Sequence, residues 1–345
     1  MRGRRTQAGF SLIELMISLV IGLIIIGTVI GAFMMNSRIY ETNRAMGRIQ
    51  ENARFAFELM SRDVRRAGDV PCGNDLSIAN VLNNSDDNSE TATGNDWWAT
   101  FGNGLAGYDG DESFDGVAFG TEAEDRVSGT DAIWVTGTGS ETVSIVSHDP
   151  DTATFTLNSS DHPFNQGDIL MVCDFDQASI FQMSGPATTG TTVLHATGSQ
   201  TPGNCTIGLG AAVSCSGTGN THTYDENSLL ARFNSTAWYV GCNGRDDDCS
   251  TPEGRSLYRM ALSGGEEKAE EVVDSVQALG LQYLLDGQSS YSDADTLDDN
   301  DWADVVAVKL TLTLARTDVG VGSGGKSADI ARTYTHVITL RNRLP

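Results

Sequence analysis

Gly9-Phe10-Ser11-Leu12-Ile13-Glu14-Leu15-Met16 decides the reading of this 345-residue chain, because it sets one carboxylate at the mouth of a long apolar run. Ahead of it, Arg2, Arg4 and Arg5 form a basic flank, with no acid before Glu14. Behind it, Leu15 to Met35 continues for 21 residues without a charge. As a helix rising ~1.5 Å per residue, that run covers the roughly 30 Å hydrocarbon core of a bilayer. The basic flank places the N-terminus in the cytoplasm and the C-terminal bulk outside it. A cleaved secretory signal fits less well, since its apolar region would run for only about 7–15 residues and carry no acid.

Gly9 to Met16 resembles the cleavage and methylation motif of type IV pilins and pseudopilins. The resemblance implies that a prepilin peptidase cuts between Gly9 and Phe10 and that Phe10 becomes the N-methylated mature N-terminus. It also implies that Glu14 meets the N-terminal amine of a neighbouring subunit during filament assembly. A carboxylate in an apolar bundle is costly unless paired, which gives that contact a physical reason. Taken by itself, Glu14 would equally suit a place among lipid headgroups.

The helical pattern outlasts the membrane. Ile39, Met46, Ile49, Ala53, Ala56, Met60, Val64 and Ala67 recur at helical spacings, with Arg44, Arg48, Glu51, Arg54, Glu58, Arg62, Asp63, Arg65 and Arg66 on the other faces. Gly68 and Pro71 then end the helix. A spine from Phe10 to Ala67 would measure about 87 Å at ~1.5 Å per residue. A coiled-coil dimer is the weaker alternative, because the stripe is short and rich in Ala and Met. Gly27 and Gly31 make a weak Gly-x-x-x-Gly packing motif inside the anchor. By the resemblance, Gly31 also stands where many major pilins carry a helix-disturbing Pro.

Beyond residue 70 short β-rich runs alternate with Gly, Asn, Asp, Ser and Thr. Strands are predicted at 131–136, 142–147, 152–157, 169–173, 178–183, 229–233, 237–241, 256–262, 305–314 and 332–340, with a hairpin turn at 148–151. Residues 272–285 fit either a helix or a strand pair, and 74–110 form a polar excursion holding Trp97 and Trp98. The expected fold is α+β and pilin-like: a long N-terminal spine on a mainly antiparallel head. The expected division is a leader at 1–9, a membrane or filament-core helix at 10–35, an amphipathic second half at 36–67 and a β-rich head at 68–345.

Six cysteines in an extracytoplasmic chain point to disulfides. Local spacing favours Cys205 with Cys215 and Cys242 with Cys249, which leaves Cys72 for Cys173. Metal binding by these cysteines is disfavoured, as no Cys-x-x-Cys is present.

Composition narrows the function. Against 22 basic residues stand 46 acidic ones, a formal net charge of −24. Such a surface repels phosphate backbones, which argues against nucleic-acid binding. Solubility in high salt and weak binding of divalent cations both fit the acidity. Asp109, Asp111, Glu112 and Asp115 alternate oxygen side chains that suit Ca²⁺, with Asp109 and Asp111 the leading candidates. They lack the Gly and terminal Glu of an EF-hand loop, so a solvated loop is preferred. Asp246-Asp247-Asp248 reads the same way. His148, His162, His195, His222 and His336 show no metal-ligand spacing, and no nucleophile, base and acid set is present, so neither an enzyme nor a resident cofactor is expected. Gly320 to Ser327 spells a phosphate-binding loop letter for letter, but such a loop must open a helix, and a strand is predicted after it.

Arg65-Arg66-Ala67-Gly68 with Cys72, the segment Asp168 to Asp174 with Ile180-Phe181-Gln182, Ser256-Leu257-Tyr258-Arg259, and the tail from Trp302 to Lys309 resemble the PilW family of minor pilins. The chain departs from that pattern in its acidity and its Cys-bearing loops at 203–250. The resemblance implies a minor pilin that helps initiate or cap a type IV pilus, with other minor pilins and the major pilin as partners. It would sit in the inner membrane before assembly and then in the pilus, at its tip. A large pseudopilin of a type II secretion system is the alternative. A third reading makes the head a tip adhesin, or the neighbour of one, with a Ca²⁺-dependent ligand site.

Overall fold

The charge-free run and the amphipathic stripe fold as one helix, α1 (Leu12–Val64). The computed structural model describes residues 11–73, 76–87, 96–187, 190–198, 201–245, 249–263, 266–317 and 330–343. The two halves of α1 have opposite surroundings. The apolar window of its first half is 0% buried, whereas Ala45, Ile49, Ala53, Ala56, Met60 and Val64 are buried against the head. The head does not reach the first turns after the anchor, so Ile39 is still 49% exposed and the covered stripe begins at Ala45. The helix ends three residues short of Ala67. Gly68 takes the left-handed conformation at φ 72° and donates its N–H to Thr136 O, which turns the chain onto the head.

Thirteen strands follow among the described residues. They are β1 (Ser77–Asn80), β2 (Leu105–Tyr108), β3 (Ala132–Asp149), β4 (Thr154–Leu157), β5 (Ile169–Cys173), β6 (Gln177–Gln182), β7 (Thr192–Leu194), β8 (Leu229–Cys242), β9 (Arg255–Ser263), β10 (Glu266–Asp274), β11 (Val276–Leu285), β12 (Val305–Arg316) and β13 (Ile330–Thr339). The larger sheet runs β1-β6-β5-β8-β3-β4-β7, with β2 on β3, β9 on β8 and β10 on β9; the smaller is β11-β12-β13. Every pairing is antiparallel except β1 with β6. The chain thus has the α+β, pilin-like form of a long N-terminal helix followed by a mostly antiparallel head.

Two pairs of predicted strands are in fact single long ones. Runs 131–136 and 142–147 join in β3, where the Gly- and Ser-containing stretch that looked like a turn is absorbed as a register shift between Thr138 and Thr142. Gly137 is required there, since a Cβ would lie 2.5 Å from Arg66 O at the end of the spine. Runs 229–233 and 237–241 join in β8. The ambiguous 272–285 segment resolves into strands: β10 closes the larger sheet and β11 opens the smaller. Ser275 between them turns the corner at φ 61°.

Alternation along the two long strands builds separate cores. Ile133, Val135, Trp238 and Val240 join the spine stripe, β11 and β12 in one core. Trp134, Tyr239 and Phe233 face a second with Trp97 and Trp98, while Val143, Ile145 and Leu230 enter a third around Phe155 and Phe181.

Candidate assembly spine and its seam with the head

Gly9 and Phe10 lie outside the described residues. Glu14 sits in the first turn of α1, where its carboxylate accepts the Ser11 N–H at 3.3 Å, a favourable place for an anion at a helix N-terminus. From Leu12 (77% exposed) to Phe33 (73%) the large apolar side chains have no cover within the chain. An uncovered cylinder of Leu, Ile, Val, Met and Phe needs lipid or other helices around it.

Where the spine meets the head, polar contacts fix its rotation. Asn52 Nδ2 donates to Asp274 Oδ1 at 2.7 Å, beside the corner where the chain changes sheets. Asp63 Oδ2 accepts from Arg259 Nε at 2.8 Å and from Trp238 Nε1 at 3.2 Å. Asn52 and Asp63 gave no sign of these roles in the sequence. The available signal was Asp63 itself, the single acid among three arginines at 62–66.

The structure joins Cys72 to Cys173, Cys205 to Cys215 and Cys242 to Cys249, with Cα separations of 5.9, 5.1 and 5.5 Å. The first fastens the turn after the spine to β5, a central strand of the larger sheet.

Asp109 and Asp111 are not gathered into a cation site. Among the described residues no group of three or more His, Cys, Asp or Glu side chains is placed to hold a metal ion. The loop is organised instead by Arg126, which is fully buried and lies over the Phe119 ring. Its guanidinium donates to the carbonyls of Tyr108, Asp109, Glu112 and Thr130 at 2.7 to 3.3 Å. A guanidinium thus stands where a bound cation would collect carbonyl oxygens. The Asp109 carboxylate accepts the Asp295 N–H at 3.0 Å.

Two histidines that looked scattered meet in the third core. His148 Nδ1 accepts the Tyr224 N–H at 3.2 Å, so its proton is on Nε2, which faces His195 Nε2 at 3.0 Å. Burial pushes His148 down to about 4 and His195 down to about 3. Both are neutral at physiological pH and pack as aromatic core residues with Phe155 and Phe181.

The phosphate-loop pattern has the wrong sequel. Gly320 to Ser327 and Asp246 to Asp248 lie outside the described residues, but Ile330 opens strand β13, paired from Arg316 onward with β12. The first described residues after the pattern are therefore strand and not the helix whose amides would face a phosphate.

Residues 4–30 match the family model described as the prokaryotic N-terminal methylation motif. No curated protein and no solved structure matches the chain. The motif and the uncovered apolar helix together support a type IV pilin-like or pseudopilin-like subunit, anchored in the membrane. The motif implies processing by a prepilin peptidase and assembly with other pilins.

Proposed function

We propose that the chain is a minor pilin of a type IV pilus, a structural rather than catalytic subunit acting in assembly initiation or at the tip. The observation that carries this reading is the division of α1. Its first half has a membrane-spanning composition and no cover, while its second half is built into the head. A subunit with one such half-free helix can exchange lipid for neighbouring helices without unfolding its head. In this reading Phe10 is the methylated N-terminus and Glu14 the contact to a neighbour's amine. The PilW-like segments, from Arg65 through Cys72 and in Asp168 to Cys173, favour the minor-pilin role over that of a secretion pseudopilin.

The experiment is genetic. Glu14→Ala in the producing organism is expected to abolish surface pili and twitching while the protein stays in the inner membrane and type II secretion continues. Normal piliation with failed secretion would overturn the reading in favour of the pseudopilin.

A further inference from the structure

The charges of the chain are segregated. Seven arginines and four acids lie between Arg38 and Arg66, whereas 41 acids and 12 basic residues follow Ala67. Three of the seven arginines fall within the last five residues of that stretch, at the distal end of the spine, where it and the segment after β13 flank a groove of about 510 Å³. Arg62 lines it from the last turn of α1, Arg65 and Arg66 from the residues just past the helix and Arg341 from the other wall, with Glu58 the one acid among its lining residues. Half-buried Phe57 supplies an apolar floor, its ring 5.6 Å from that of His336.

These four arginines are uncommitted. None belongs to an ion pair among the described residues, although Asp63, one position from Arg62, is paired with Arg259. Arg62, Arg65 and Arg66 are crowded into five residues at the end of α1 and all line the one groove, where like charges repel each other. Carboxylates entering the groove would relieve that repulsion, and guanidinium forks match carboxylates bidentately. Lipid is out of reach for an embedded subunit: Arg62 follows Met35 by about 40 Å of helix at ~1.5 Å per residue, several Debye lengths of ~8 Å. The acidic surface that the chain itself provides is its head.

We infer that this groove is an interface between two copies of the chain, in which Arg62, Arg65, Arg66 and Arg341 of one bind carboxylates on the head of the other. Such a contact joins two different patches and either closes a pair or repeats along an assembly. It rests on the charge and shape of the groove and not on the role of Glu14.

The test uses the full chain in phosphatidylcholine nanodiscs or vesicles, mixed from light and heavy-nitrogen copies. The Arg65→Lys variant keeps the charge and adds an amine, which a zero-length carbodiimide couples to a carboxylate in contact. The expected product is a mixed-isotope peptide linking position 65 to an Asp or Glu beyond Ala67. Self-association should weaken by about tenfold or more in Arg62→Gln/Arg65→Gln/Arg66→Gln, and also in wild type when salt shortens the Debye length toward ~3 Å. Circular dichroism of the triple variant separates this from misfolding, since Arg62 and Arg65 are exposed and Arg66 half-buried. Same-isotope links alone, no link, or association unchanged by the triple substitution would overturn the interface. Links in cells solely to a different polypeptide would overturn it equally.

Discussion

Arg259 on β9 and Asp63 in the last turn of the spine form an ion pair across the seam, Nε to Oδ2 at 2.8 Å, with the Trp238 indole donating to the same oxygen. The pair sits at the edge of the core that holds Met60, Val64 and Trp238. Removing the acid leaves a half-buried guanidinium and a buried indole N–H short of their acceptor. Asp63→Ala should therefore cost about 1–3 kcal/mol of stability, read as a lower midpoint of denaturant unfolding. Asp63→Asn, which keeps an acceptor without the charge, should cost less.

Arg126 is the counterpart inside the head. Arg126→Met would leave the carbonyls of Tyr108, Asp109, Glu112 and Thr130 without their shared donor in a buried position. A loss of roughly 3–5 kcal/mol is expected, with new proteolytic cleavage between residues 109 and 125. Because the guanidinium fills the centre of the loop, Ca²⁺ should not raise the melting temperature of the wild-type chain.

The disulfides should rank by the length of chain they close. Cys72–Cys173 spans 101 residues and Cys242–Cys249 spans 7. On the chain-entropy account these contribute about 4–5 and roughly 2–3 kcal/mol respectively. Cys72→Ser/Cys173→Ser should therefore lower the unfolding free energy more than Cys242→Ser/Cys249→Ser, and should also loosen the tie between spine and head in hydrogen exchange.

The buried histidine pair predicts an acid limit. In the unfolded chain His148 and His195 titrate near 6.5; in the fold, burial holds them to about 4 and about 3. Between those values the unfolded state binds more protons, so stability rises with pH. The contribution is complete above about pH 6.5 and is lost as pH falls toward 3–4. His148→Phe/His195→Phe should flatten the dependence of unfolding free energy on pH across that window.

The spine was legible because its signals are local: a charge-free run, then a helical stripe ending in Gly68. Strand identity was legible for the same reason at Ile169–Cys173, where the predicted and observed bounds coincide. Strand continuity was not. Gly137 and Gly139 look like punctuation, yet Gly137 is there because the end of the spine passes against it, a contact between distant parts of the chain. Segment 272–285 resisted for a related reason: its halves belong to different sheets, so no single periodicity describes it. β1, β2 and β7 are three or four residues long and carry too little pattern to stand out. Arg126 follows Glu122, Glu124 and Asp125 with nothing in the sequence to mark it; only the fold turns its guanidinium inward.

The central claim is that this chain is a processed, assembling pilin-like subunit, and the intact mass of the protein recovered from membranes of its own cells tests it most directly. The account predicts a chain beginning at Phe10, shortened by residues 1–9, carrying one additional methyl group on its N-terminal amine and three disulfides. A chain that retains residues 1–9, or one cleaved after the apolar helix so that Leu12 to Met35 is lost, would contradict it.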